Sequence, residues 1–207
     1  MQSFIRLYEK QFPDELCDRL IGILETAIEH GLTRTGRSDI NTVDTSIKDS
    51  TDLDLAITPE LEAINKELFQ ELDRNLYGPV SNYINSFIVS REGEKDYIPI
   101  DEVVQRFRLL QAPKLKVYRA PGGGYHAWHQ DWGRNILQAK RLVVAMVYLN
   151  DVEEGGETAF FHQDLKVKPV KGDMVIFPPY FTHMHKGMPP VSNDKYICNF
   201  YLGLAEE

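Results

Sequence analysis

Residues 114–131 read KLKVYRAPGGGYHAWHQD. Two short runs, Lys114–Arg119 and Tyr125–Asp131, flank the break Gly122-Gly123-Gly124. Short runs bounded by turn residues predict strands rather than helix. The same texture continues outward from this stretch. Candidate strands are Arg141–Leu149, Thr158–Phe161, Leu165–Val170, Asp173–Phe177, His183–Gly187 and Lys195–Leu202, with Gly155-Gly156, Lys171-Gly172 and Pro189-Pro190 at several of the breaks. So many short strands in fewer than about a hundred residues predict a sandwich or jelly roll. The fold expected is therefore mainly β, of the α+β kind.

Upstream the pattern is helical. Pro13-Asp14 opens a segment with apolar residues at Leu16, Leu20, Ile21, Leu24, Ala27 and Ile28, and Gly31 is the expected stop. A second helix is expected from the cap Thr58 and Pro59, with Leu61, Ile64, Leu68, Leu72 and Leu76 on one face and an end before Gly78-Pro79. Val80–Val89 would continue as a shorter helix. Thr33–Leu55 and Ser90–Asp101 are polar and read as long surface loops, the usual place for binding elements or lids. Two helices on such a unit need no core of their own, so residues 1–207 are expected to form one domain, with 1–110 as helical support and substrate loops.

The bulk numbers bound the function. Against 31 acidic residues stand 23 basic ones, a formal charge of −8, which argues against a nucleic-acid partner. Cys17 and Cys198 are far apart and in no metal-type spacing, so a reducing compartment is the default and a cytoplasmic protein the expectation. The opening MQSFIRLYEKQF lacks the apolar run of a signal peptide, and no stretch approaches the roughly 20 apolar residues a membrane helix needs. Composition does not fix the oligomeric state.

Five of the six histidines lie after residue 120. On an extended strand, residues two apart share a face, so His129 and Asp131 could converge on one ion. An imidazole and a carboxylate suit a divalent first-row metal, and a second histidine would complete a facial triad. The pair His162 and Asp164 has the same spacing but falls in an expected hairpin turn, where two side chains are not held on one face. His183 and His185 are also two apart, and geometry alone does not choose between them as third ligand. Trp128 and Trp132 flank the metal strand; they suit an aromatic rim, though the commoner fate of tryptophan is core.

The chain resembles the prolyl 4-hydroxylase-type Fe(II)/2-oxoglutarate-dependent dioxygenases. The resemblance rests on the run Tyr118 to Asp131, on YLNDVEEGGETAF from Tyr148, on PVKGDMVIF from Pro169, on His185-Lys186-Gly187-Met188-Pro189, and on Lys195-Tyr196 at the family's spacing. The glycine-rich stretch before His129 is one residue longer than in the animal and plant enzymes. The resemblance implies a double-stranded β-helix (jelly roll) with supporting N-terminal helices, and a dioxygenase core over residues 111–203. It chooses His185 over His183, since the following glycine and proline belong to His185. Iron(II) would then be held by His129, Asp131 and His185, and Lys195 would bind the distal carboxylate of 2-oxoglutarate. Tyr118, Thr158 and Tyr201 are further candidates for cosubstrate contact. O2 is the implied co-reactant, with ascorbate among the implied accessories. The carboxylate of Asp131 implies hydroxylation rather than halogenation.

The implied substrate is peptidyl proline, with a small molecule or free amino acid close behind, and its specificity is expected in 33–55, 90–101 and the loop near Asp131–Lys140. Three rivals remain. A nucleic-acid demethylase of the same fold would carry arginines after the last histidine, and Lys195–Tyr201 has none. A cupin-like, non-oxygenase metal binder needs the triad but not Lys195. A purely structural jelly roll needs neither, although fold alone never fixes function.

Overall fold

Strand β8 (Val143–Tyr148) is buried along its whole length, and its side chains divide by parity. Val143, Ala145 and Val147 enter one hydrophobic cluster, and Val144, Met146 and Tyr148 enter another. A continuous apolar run is what a strand covered on both faces requires. The same division holds in β11 (Met174–Phe177) and β13 (Lys195–Leu204). One cluster lies between two sheets, and the other lies between the larger sheet and the helices.

The computed structural model describes residues 4–38, 42–55, 62–87, 106–133 and 135–204, with backbone alone at 62–65 and 87. The remaining strands, in chain order, are β1 (Arg6–Tyr8), β2 (Arg34–Thr35), β3 (Lys48–Asp49), β4 (Thr51–Asp54), β5 (Phe107–Leu109), β6 (Lys114–Tyr118), β7 (Gly124–His129), β9 (Thr158–Phe160), β10 (Leu165–Val167) and β12 (His185–Gly187). The larger sheet runs β1-β11-β8-β13-β6-β4-β2, with β5 also on β13, and the smaller runs β10-β9-β12-β7-β3. Each of these neighbouring strand pairs is antiparallel. Two antiparallel sheets facing each other across a shared core make the expected jelly roll.

Helix α1 (Asp14–Glu29) spans the expected segment, buries Leu16, Cys17, Leu20, Leu24 and Ala27, and stops before Gly31, whose φ of 67° is left-handed. Arg119 pins it to the sheet by pairing with Glu25 and with Asp194, at 2.9 and 2.6 Å. Among the described residues no helix is long and apolar enough to cross a membrane.

Three expectations are corrected. First, α2 (Glu62–Phe87) does not end before Gly78-Pro79, and Val80 onward is its continuation rather than a separate helix. A proline inside a helix removes the N–H that would serve the carbonyl four residues earlier. Here that carbonyl is Asn75's, and the Gln11 side-chain amide donates to it at 2.9 Å. Leu68, Leu72, Leu76, Val80 and Tyr83 then keep one buried face through the proline. The proposed cap Thr58-Pro59 lies outside the described residues, as does 90–101.

Second, 33–55 is not simply a surface loop. Its β2 and β4 extend the larger sheet and its β3 the smaller, with the chain changing sheets at Ser50. Third, 1–110 is therefore more than helical support, because β1–β5 belong to the two sheets. The inward face of β4 carries Asp52, opposite Lys116 of β6, so no apolar alternation announced it.

Candidate metal centre

His129 closes β7 and His185 opens β12, and the two are Cα partners across the antiparallel pair. Their rings lie 4.3 Å apart between centroids. One ligand atom each from His129, Asp131 and His185 lies within 4.8 Å of the others. Asp131 Oδ2 stands 3.5 Å from His185 Nε2. Asp131 is not on the strand, as its spacing had suggested, since β7 ends at His129. The turn is held instead by the Asp131 and Trp132 N–H groups, which both donate to the Pro179 carbonyl at 3.0 and 2.9 Å. Arg141 donates to the Asp131 carbonyl at 2.8 Å.

Each histidine has its tautomer set by the backbone. Nδ1 of His129 donates to the Ala127 carbonyl at 3.1 Å, and Nδ1 of His185 donates to that of His183 at 3.0 Å. The proton held at Nδ1 leaves Nε2 as the lone-pair donor. Tyr125 stacks on His129 with centroids 3.4 Å apart and fixes its plane. Burial and the neighbouring His185 push His129 well below its usual value, against the pull of Asp131, so it stays neutral. Burial would raise the Asp131 carboxyl, but the hydrogen bond and charge of His185, with His129 and Arg141, outweigh it and hold it well below the carboxylate range. Two imidazoles and one carboxylate are the donor set of a facial triad for iron(II). The residues present fit that metal.

His183 is not in the cluster. It lies in a 3-10 turn, Phe181–His183, rather than on a strand. Its Nδ1 is 2.9 Å from Thr182 Oγ1, its ring meets Phe4 edge-on, and burial lowers it to about 4. What it offers His185 is a backbone carbonyl. His162 and Asp164 sit in the turn between β9 and β10, where Asp164 has φ 48°.

Lys195 is 2% exposed at the start of β13, paired in register with Tyr118 of β6. Its ammonium is 3.5 Å from Thr158 Oγ1, a hydroxyl that also accepts from Tyr148 at 2.8 Å. It lies 5.8 and 5.3 Å from the ring centroids of Tyr118 and Tyr148. Among the described residues no carboxylate comes within ion-pair distance of it. Burial lowers Lys195 to about 7, with Glu157 opposing and Lys116 adding to the drop. A buried ammonium without a counter-ion costs several kcal/mol, and a dicarboxylate fits the position. Tyr201 stands on the metal side, its hydroxyl 3.5 Å from Asp131 Oδ1.

Some side chains at the site gave no warning. Arg141 lies 3.7 Å over the Tyr201 ring and also bonds Gln111, although a charge opening an apolar strand could have been a signal. Trp128 and Trp132 are not core; at 38% and 40% exposure they line an open cleft of about 1030 Å³ leading to His129 and Asp131.

Two sheets in jelly-roll order, with a two-histidine, one-carboxylate cluster between strands of the smaller one, define a mononuclear non-haem metal protein. In comparison with known families, residues 114–203 match the 2OG-Fe(II) oxygenase superfamily. The matched segment contains His129, Asp131, His185 and Lys195. Prolyl 4-hydroxylase 13 of Arabidopsis thaliana is 24% identical over 167 residues, 70% of this chain and 57% of its own, so the chain spans just over half of that relative. In fold, the chain is similar to the viral collagen prolyl hydroxylase of Paramecium Bursaria Chlorella virus-1, solved as a 2OG complex, at TM-score 0.63 and 22% identity over 98% and 97% of the two chains. It is also similar to a Trichoplax adhaerens prolyl hydroxylase solved with a hypoxia inducible factor peptide fragment, at TM-score 0.71 and 14% identity over 98% and 84%.

Proposed function

We propose that this chain is an Fe(II)- and 2-oxoglutarate-dependent dioxygenase that hydroxylates a C–H bond, with peptidyl proline as the first substrate class. The observation that carries the reading is the dry, uncompensated ammonium of Lys195 behind the His129–Asp131–His185 cluster. A cupin-like metal binder would need the cluster but has no use for a cation that costs stability and, among the described residues, pairs with no carboxylate. The names of the relatives, prolyl hydroxylases throughout, support proline.

When bound, iron and 2-oxoglutarate supply the oxidising chemistry, with O2 consumed and succinate and carbon dioxide released; the protein supplies position and exclusion. His129, Asp131 and His185 would hold the metal. Lys195 would receive the distal carboxylate, with the Thr158 hydroxyl beside it and the buried Tyr118 walling the pocket. Trp128 and Trp132 offer a prolyl ring flat apolar faces at the cleft mouth. Ascorbate belongs to the proposal as an accessory reductant.

Anaerobic addition of 2-oxoglutarate to the Fe(II)-loaded protein tests this. A weak visible charge-transfer band should appear that iron alone does not give, and admission of O2 with a proline peptide should yield succinate. No band at saturating 2-oxoglutarate would overturn the reading.

A further inference from the structure

The cleft in front of the metal carries a charge opposite to that of the chain. Formal charge overall is −8, yet six basic side chains line the cleft against three acidic ones. Asp131 belongs to the metal cluster, which leaves Asp52 and Asp54. Asp54 is shared between Arg34 at 2.6 Å and Lys114 at 3.3 Å. Asp52 pairs with Lys48 at 2.6 Å and accepts from Ser50 at 2.7 Å, and the charge of Lys116, its Cα partner on β6, acts on it too, so two lysines share this one carboxylate.

Lys116 sits at the centre of this arrangement. It is 7% exposed, on the inward face of β6, opposite Asp52 on one side and Ile197 on the other. Among the described residues it makes no ion pair and no hydrogen bond. Its positive charge is felt at Lys48 and at Lys195, lowering each, and at Asp52, which it also lowers. Burial, joined by the charge of Lys116, lowers Lys48 to about 8 even with Asp52 bonded to it. Lys116 lies two residues along β6 from Tyr118, about 7 Å toward the mouth at strand spacing. It lines the open cleft, whereas Lys195, Tyr118 and Thr158 do not. The two lysines therefore face different compartments.

Resting on the oxygenase reading above, we infer that the substrate is anionic: Lys116 receives a carboxylate carried by the substrate close to the position that is oxidised. Its source is an acidic side chain next to the target residue of a peptide, or the substrate's own carboxylate if it is a free amino acid. A carboxylate at Lys116 relieves the surplus positive charge that Lys48 and Lys116 impose on each other. The rim beside it, Trp128 and Trp132, takes the apolar part of the same molecule.

Both tryptophans of the chain stand on this rim, so intrinsic fluorescence reports binding directly. The protein, anaerobic with Fe(II) and 2-oxoglutarate, is titrated with a proline octapeptide carrying Glu beside proline and with its Gln twin, then with L-proline and L-prolinamide, then with a single-stranded oligonucleotide. The carboxylate-bearing member of at least one pair should bind about tenfold or more tightly, a difference of about 1.4 kcal/mol. The pair that discriminates identifies the source. Raising the salt should shrink that ratio in the unmodified protein. Lys116→Met should reduce it to about one, Lys116→Arg should retain it, and Lys116→Glu should reverse it.

Equal affinities within both pairs would overturn the inference, as would a ratio indifferent to salt. So would tighter binding of the oligonucleotide than of any peptide, or a Lys116→Met variant that loses 2-oxoglutarate affinity while keeping the ratio. The parent reading has its own readout, the anaerobic charge-transfer band. A protein that gives the band but shows no acid preference fails this inference alone.

Discussion

Replacing Lys195 with methionine should make the protein more stable and useless at once. In the folded chain without cosubstrate, Lys195 falls from an ordinary 10.5 to about 7 because burial disfavours its charged form. At about 1.36 kcal/mol per pH unit, the drop corresponds to about 5 kcal/mol of opposition to folding. The side chain is 2% exposed, so solvent screens little of it. A lowered lysine opposes folding fully below its folded value, where both states carry the proton. The opposition fades as pH rises from about 7 to 10.5, because the unfolded chain then holds the proton the folded one has lost. Methionine fills a similar volume without the charge. Even about 2 kcal/mol realised would raise Tm by roughly 4–8 °C for a domain of this size, and the gain should shrink when the melts are run at pH 10.

Function should move the other way. Losing the cation should raise the apparent KM for 2-oxoglutarate by roughly two orders of magnitude or more, since breaking a buried pair costs about 3–5 kcal/mol. In the unmodified protein the dicarboxylate binds the ammonium form, so its affinity should weaken above pH 7 by up to about tenfold per unit. Lys195→Arg should bind less tightly than lysine in the tight pocket but lose that pH dependence, because guanidinium stays charged. Scanning calorimetry and 2-oxoglutarate titrations at pH 6, 7, 8 and 9 measure both. Lys195→Met with an unchanged or lower Tm and an unchanged KM would refute the reasoning.

Other outcomes follow from the same structure. His129→Ala, Asp131→Ala or His185→Ala should abolish succinate formation, while His162→Ala and Asp164→Ala should not; a dead His183→Ala beside an active His185→Ala would reverse the ligand assignment. Gln11→Ala should cost about 1 kcal/mol by stranding the Asn75 carbonyl, and less in a Pro79→Ala background where the helix supplies its own N–H, as a double-mutant cycle in urea would show. Gly155→Ala should destabilise by well over 1 kcal/mol, because φ is 75° and an added Cβ would stand 2.4 Å from the Pro189 carbonyl. Gly22→Ala, inside α1 with open space around it, should instead stabilise by about 0.5–1 kcal/mol; chemical denaturation of the two variants separates them.

The closed end of the barrel was legible in the sequence because apolar burial and motif spacing write themselves there. β6 through β13 fall where short apolar runs and glycine breaks put them, with ends shifted by a few residues. His129, Asp131 and His185 come together as expected, but the reason is partly different. A turn pinned by Pro179 carries Asp131 to the cluster, and a backbone bond from a residue 48 positions downstream has no local signal. The continuous α2 was hidden for a similar reason, since its interruption at Pro79 is mended by Gln11, 64 residues from the carbonyl it serves. Sequence rules price proline by local loss, and a distant donor changes that price.

The mouth of the barrel was illegible for a physical reason that bears on function. β2, β3 and β4 look like loop because their inward positions are Arg34, Lys48, Asp52 and Asp54 rather than valines and leucines. Such positions do not help a sheet by apolar burial, and the strands persist there through ladder bonds and through ion pairs at 2.6 Å. Buried charge pairs are seldom more stabilising than apolar replacements of the same volume. At the cleft-lining positions of these strands and of β6, four cations (Arg34, Lys48, Lys114 and Lys116) for two anions (Asp52 and Asp54) is worse than pairing requires. A jelly roll whose only task was to fold would be more stable with that surplus removed. Among the described residues the surplus lies on an inner surface that opens to solvent beside the metal cluster, where an anion entering the cleft would balance it.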